Sequence, residues 1–200
     1  MSLTSSAVLP PATGRRRELL DAALGVVADE GLRGLTHRAV DRRAGLPEGT
    51  CSAYLRTKQA LVLAVAEHVA ATLAADVDRL ARELGECDGD AGQAVARTQA
   101  LFERWLEERV LVMAKLELSL EAPRDPAVAA VLSASRRRLV AVVDGMITQA
   151  DKPHSLARSE ALVASFDGLL IGALQKPPSE RGAFLSESLS LVLHALTAPT

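Results

Sequence analysis

THRAVDRRAGLPEGTCSAYLRTK, residues 36–58, holds the punctuation of two short helices and the first residue of a third. Thr36 offers a hydroxyl cap, His37 to Ala44 supply about two turns, and Gly45 stops them, because glycine enters the left-handed conformation of a helix end without steric cost. The next helix is predicted to begin at Pro47, where a missing N–H removes no bond from a first turn, and to end near Leu55. From Lys58 the run KQALVLAVAEHVAATLAADVDRLARELG contains no Pro, and no Gly before its last residue, and reads as one long helix. Two short helices joined by a glycine turn form a helix-turn-helix, in which the first helix braces on a sugar-phosphate backbone and the second enters a major groove. The second helix suits close approach: Gly49, Ser52 and Ala53 are small, and Thr50, Ser52 and Tyr54 carry hydroxyl donors.

Upstream, Leu20, Ala23, Leu24 and Val27 recur at helical spacing and Gly31 supplies the stop, giving a helix that precedes the pair. Downstream, GECDGDAG is a loop. Helices are then predicted over about 93–108, 109–121, 126–150, 155–175 and 179–197, divided by EAPRDP, DKPHS and KPPS. Ser155 is placed to cap the fourth of these. No breaker separates 108 from 109, so those two also read as one. No alternating apolar pattern with hairpin turns and no fixed repeat is present, so the expected fold is all-α with about nine helices. The domain division is a disordered tail over 1–14, a helix-turn-helix domain over 15–60, and a helical regulatory and dimerisation domain over 61–200.

Composition agrees with packed helices: 48% of residues are hydrophobic, 24% charged and 2% aromatic, and Ala and Leu, strong helix formers, make up about a third of the chain. The net charge of −2 argues against nucleic acid until it is located. Residues 15–58 carry nine Lys or Arg against six Asp or Glu, and the remainder fourteen against nineteen, so a basic head joins an acidic body. Arg15, Arg16, Arg17, Arg38, Arg42, Arg43, Arg56 and Lys58 are the head's source of salt-dependent attraction. No uncharged run reaches the roughly 18 to 20 apolar residues of a membrane helix. The first fourteen residues lack the basic and apolar regions of a signal peptide, and a cytoplasmic location is expected. Cys51 and Cys87 belong to no metal-binding spacing and suggest no disulfide framework.

Catalytic patterns are missing: there is no GxSxG, no HExxH, no phosphate loop after a strand and no paired carboxylates in an apolar setting. Neither a cofactor nor a metal is implied.

RRRELLDAALGVVADEGLRGLTHRAVDRRAGLPEGTCSAYLRTKQALVLAV resembles the head of the tetracycline-repressor-like family of transcriptional regulators. The turn Ala44-Gly45-Leu46, the pair Gly49-Thr50, Tyr54, and Lys58 with Ala60-Leu61 are all in register, without a gap, over about a quarter of the chain. The resemblance implies phosphate contacts from Thr36, Arg38, Thr50, Tyr54 and Lys58, and base readout from Glu48, Gly49, Ser52 and Ala53. Three positions depart from the family pattern: Glu48 where a base is common, Ser52 where Tyr is common, and Asp41 where Ala is common. Glu48 repels phosphate and favours a cytosine amino group.

A ligand cavity is implied by the same resemblance, within the helices from about 93 to 175. Its candidate lining is Phe102, Trp105, Leu106, Met113, Leu116, Glu117, Val143, Ile147, Leu162 and Phe166. Such a lining suits a lipophilic, even cationic, effector. Glu117 is its one acid, although the helical step also turns that residue outward. The last two helices are too apolar for one exposed face, and Ser165, Gly168, Gly172, Phe184, Leu185, Leu189, Val192 and Leu196 are read as a dimer interface. The function expected is a homodimeric, ligand-responsive repressor on a palindromic double-stranded operator, with no membrane partner. The alternatives are an all-helical enzyme and a helical dimeric module that binds no DNA. Blander roles compete at single positions: Arg136 to Arg138 read as a solvated face, Cys51 as a small core residue, and His68, His154 and His194 as structural.

Overall fold

A computed structural model describes residues 14–85, 90–152 and 155–197. Among them the chain forms α1 (Arg15–Gly34), α2 (His37–Ala44), α3 (Thr50–Tyr54), α4 (Lys58–Gly85), α5 (Ala91–Glu107), α6 (Val110–Glu121), α7 (Pro126–Gln149), α8 (Leu156–Leu174) and α9 (Pro178–Thr197), and no strand. The all-helical expectation is met. The tail read over 1–14 lies outside the described residues save for Gly14, and so do Cys87 and His154.

Local signals placed most helix ends. Thr36 Oγ1 accepts from Ala39 N, and Gly45 closes α2 at φ 67°. Asp125 Oδ1 accepts from Ala127 N and Val128 N ahead of Pro126, and Ser155 Oγ accepts from Arg158 N. Gly31 breaks α1 as read, with φ 68° and ψ −178°, before a final turn to Gly34. Helices α5 and α6 are separate: α5 packs chiefly on α9 while α6 packs chiefly on α1, so the chain turns between Glu107 and Val110 to reach two different surfaces.

The helix predicted from Pro47 begins only at Thr50. Gly49 sits at φ 94°, a left-handed geometry that no α-helix interior contains, and Pro47 O accepts from both Thr50 N and Thr50 Oγ1. The first turn of α3 is thus replaced by a tight bend.

Three apolar clusters build the interior. The first joins Leu19, Leu20, Val27, Leu35, Val40 and Cys51 to Leu61, Val65 and Val69 of α4, and also takes in Ala114 and Leu118 of α6 and Val128 of α7. The second holds Val77 and Leu80 of α4 against Phe102, Trp105, Leu170, Leu185 and Leu189, and the third packs Val140, Val143 and Ile147 of α7 on Leu162 and Val163 of α8. Each fully buried Leu contributes about 1.5–3 kcal/mol relative to exposure.

Helix α4 contributes to the first two clusters. Contrary to expectation it is long and apolar enough, by length and composition, to cross a membrane; here those residues are the shared spine of a helical core. It runs beside α7 in the same direction, with Gln59 Nε2 donating to Asp125 Oδ2 at the starts and the Gln149 side chain beside Gly85 at the ends.

Candidate nucleic-acid interface and ligand cavity

The face expected to meet DNA is on the surface. Tyr54 is 51% exposed, Thr36, Arg38, Glu48, Gly49, Ala53 and Lys58 are exposed, and Thr50 and Ser52 are half-buried. Thr36, Arg38, Glu48, Gly49 and Ser52 come together around one notch with His37 and Asp41. On the inner side of α3, Cys51 and Leu55 enter the core. Tyr54 therefore presents its ring to solvent more than a core role requires.

Such a short helix needs an external anchor, and Asp41 supplies it. Its side chain is buried, Oδ2 accepting from Gly49 N at 2.8 Å and Oδ1 from Cys51 N at 2.7 Å. The carboxylate does what an N-cap side chain ordinarily does, from the neighbouring helix, because the residue in the cap position is a glycine. Sequence reading noted Asp41 only as a departure; an acid beside Ala39 and Val40 on the buried face of α2 was the signal. His37 Nε2 donates to Leu55 O and closes the other end of α3 onto α2. Burial, and then the Asp41 carboxylate, push the Cys51 thiol up to about 11, so it stays protonated and behaves as a small core residue.

Several head cations are already paired: Arg15 with Glu18, Arg17 with Asp21, Arg43 with Asp29, and Arg38 with Glu48 at 3.7 Å. The last pair is highly exposed and contributes little to stability, but it partly neutralises Arg38 at the edge of the notch.

In the body, a cavity of about 1130 Å³ lies among α4, α5, α6, α7, α8 and α9. Phe102, Trp105, Val143, Ile147, Leu162 and Phe166 line it as expected. Phe102 and Trp105 stack with centroids 5.7 Å apart, Phe166 meets Phe102 edge-on at 5.4 Å, and Trp105 Nε1 donates to Asp76 Oδ2.

Four of the expected lining residues are elsewhere. Leu106, Met113 and Leu116 do not reach the cavity, Leu106 being buried in the second core. Glu117 faces α1, where its Oε2 accepts from Leu32 N just past the Gly31 break. The outward turn foreseen for it thus ends on another helix rather than in solvent. Acids of the cavity wall are instead Asp78, Asp90, Asp151 and Asp167; Asp78 is held by Arg138, and Asp167 by Lys115 with Arg136. The three arginines read as a solvated face are exposed, and two of them, Arg136 and Arg138, also line the cavity. Lys115, the one cation in VLVMAKLEL, and Asp167, the one charge in ASFDGLL, were the signals available.

The predicted dimer face also needs correction. Leu185 and Leu189 are fully buried within the protomer, Val192 packs on the third core, and Phe184 fills the space beside Gly172. Ser165 is half-buried, its hydroxyl donating to Ala161 O, and the side chain of Leu196 lies outside the described residues. Gly168 alone of the set is exposed with open space at its Cβ position. Around it α8 exposes Ala161, Ala164 and Ile171, and α9 exposes Ala183 and Leu191.

An exposed recognition helix on a helical body with an internal cavity defines a helix-turn-helix transcriptional regulator. The sequence profile of the tetracyclin repressor-like C-terminal domain matches residues 89–199, and the chain belongs to the tetracycline-repressor-like family, whose members are transcription factors rather than enzymes. It is 27% identical over 161 residues to the HTH-type transcriptional regulator BetI of Cronobacter sakazakii, covering 80% of this chain and 79% of that protein. Among solved structures it is similar to a TetR-family member from Streptomyces coelicolor, with 26% identity, coverage of 90% and 98% of the two chains, and a TM-score of 0.68. It is also similar to the multidrug binding protein EbrR complexed with ethidium, at 25% identity, 90% and 98% coverage, and a TM-score of 0.64.

Proposed function

We propose that this protein is a cytoplasmic, homodimeric repressor that leaves a palindromic operator when a small molecule enters its cavity. The observation carrying this reading is α4: it supplies Leu61, Val65 and Val69 to the core that seats α3, and Val69, Leu73 and Val77 to the cavity wall. A ligand that binds one placement of α4 more tightly shifts the head, and only that differential affinity drives release. That EbrR, 25% identical to this chain, is a multidrug binding protein complexed with ethidium supports a small-molecule effector.

The functional division is a head over 15–60 and a body over 61–200, coupled through α4. In the head, Thr36, Arg38, Thr50, Tyr54 and Lys58 hold phosphates, and Glu48, Gly49, Ser52 and Ala53 face base edges. Two copies meet through the small-residue face around Gly168, which sets their recognition helices about 34 Å apart on successive major grooves.

The test is binding to duplex DNA from the protein's own upstream region by fluorescence anisotropy across a salt series. Lys58→Ala is expected to weaken binding and to reduce the salt slope by about one, and Tyr54→Ala to weaken binding with the dimer intact. Full-strength binding by both variants removes these assignments, and salt-independent binding by the parent protein removes the reading.

A further inference from the structure

We propose that the cavity takes an anionic amphiphile, its acid group held between Lys115 and Arg136 and its apolar body along the wall of Phe102, Trp105 and Phe166; this rests on the cavity being the effector site. Asp167 is shared by two cations: Lys115 Nζ contacts Oδ1, and Arg136 Nη1 donates to Oδ2 at 3.0 Å. Among the described residues neither cation has a second acid partner. The neighbouring pair, Arg138 with Asp78, is matched one to one. The wall around Asp167 therefore carries an uncompensated positive charge, with N–H donors to spare, since an ammonium has three and a guanidinium five.

Its position selects an amphiphile. The Lys115, Asp167 and Arg136 side chains are 25%, 30% and 45% exposed, so an acid group bound there keeps part of its hydration while the aromatic wall strips water from the remainder of the ligand. The other end of the cavity, about 20 Å farther along α7 by helical rise, carries Asp90, Asp151 and Lys152. A cation would have to take Asp167 from both of its partners, and a neutral apolar molecule would be indifferent to all three.

The experiment titrates the full-length protein with anilinonaphthalene sulfonate and with phenylnaphthylamine, the same rings without the sulfonate, following fluorescence. Dodecanoate, dodecanol and dodecylamine then compete against the bound dye. The sulfonate is expected to bind on the order of tenfold more tightly than its uncharged counterpart, as one charge-assisted hydrogen bond allows. Arg136→Gln erases that preference. Asp167→Asn, which removes the competing acid with little change of shape, increases it, and dodecanoate displaces the dye better than the alcohol or the amine.

Equal affinity for the two dyes, weaker sulfonate binding in Asp167→Asn, or stronger displacement by dodecylamine overturns the anion site and leaves the cavity as effector site. If neither dye binds, both fall, while operator binding measured on the same samples tests the regulator separately. A thermal melt matching that of the parent protein shows that each variant is folded.

Discussion

Replacing Asp41 by alanine removes the acceptor of two backbone N–H groups at the start of the recognition helix, at 2.8 Å from Gly49 and 2.7 Å from Cys51. The Cys51 N–H lies in the core, and stranding it costs about 1–3 kcal/mol; the Gly49 N–H reaches water and loses about 1 kcal/mol net. The sum, roughly 2–4 kcal/mol, corresponds to a fall in melting temperature of roughly 5–15 °C for a chain of this size. Five residues cannot hold a helix without tertiary support, so the loss falls on the element proposed above to meet DNA. Operator affinity is expected to drop about tenfold or more, since 1.4 kcal/mol is a factor of ten, while dye binding in the cavity is retained. Asp41→Asn keeps one carbonyl acceptor and should lose about half as much stability. The assay combines thermal unfolding by circular dichroism, hydrogen exchange at the Gly49 and Cys51 amides, and operator anisotropy. An Asp41→Ala protein that melts within about 2 °C of the parent, with the Cys51 amide still protected, would refute the anchoring role.

Gly31→Ala should destabilise the protein by about 1–3 kcal/mol, measured from the urea midpoint, because φ 68° with ψ −178° belongs to a region essentially restricted to glycine. Glu117→Ala is not expected to rescue it, since the strain is in the backbone. In a Cys87→Ser background, Cys51 should resist alkylation at pH 8 in the folded protein and react on unfolding. Its folded pKa, raised from 9.0 to about 11, means that the unfolded thiol ionises first. Stability from this group is therefore complete below pH 9 and is lost as pH climbs toward 11, and Cys51→Ala flattens that limb. Gly168→Glu should leave the protomer folded, as a Cβ there meets nothing within 4 Å, and should yield monomers by light scattering; an unchanged dimer mass removes the α8 surface from the interface.

Legibility followed the range of the interactions. Thr36, Gly45, the proline-bearing EAPRDP break and Ser155 act within a few residues, and the helix ends they announce are where the structure has them. The exception is instructive. Pro47 carries a legitimate helix-start signal, but Asp41, on another helix, supplies the capping bonds three residues farther on and lets Gly49 take a left-handed bend. Phe102, Trp105, Val143, Ile147, Leu162 and Phe166 line the cavity, whereas Leu106 points into the second core and, on α6, Val112, Lys115 and Ser119 face the cavity while Met113, Leu116 and Glu117 do not, Glu117 facing α1.

Residue order alone determined that the chain is helical, where most helices begin and end, and that a compact basic head bears a small-residue helix suited to a groove. Those are consequences of backbone capping, glycine conformation and periodic burial, each settled within about two helical turns. Packing alone decided that Leu185 and Leu189 fill the protomer's own core while Gly168 stays open, that Glu117 reaches α1, and that Asp167 collects Lys115 and Arg136. Periodicity marks an apolar face without saying which neighbour covers it, and a charge finds its partner only when distant helices are brought side by side.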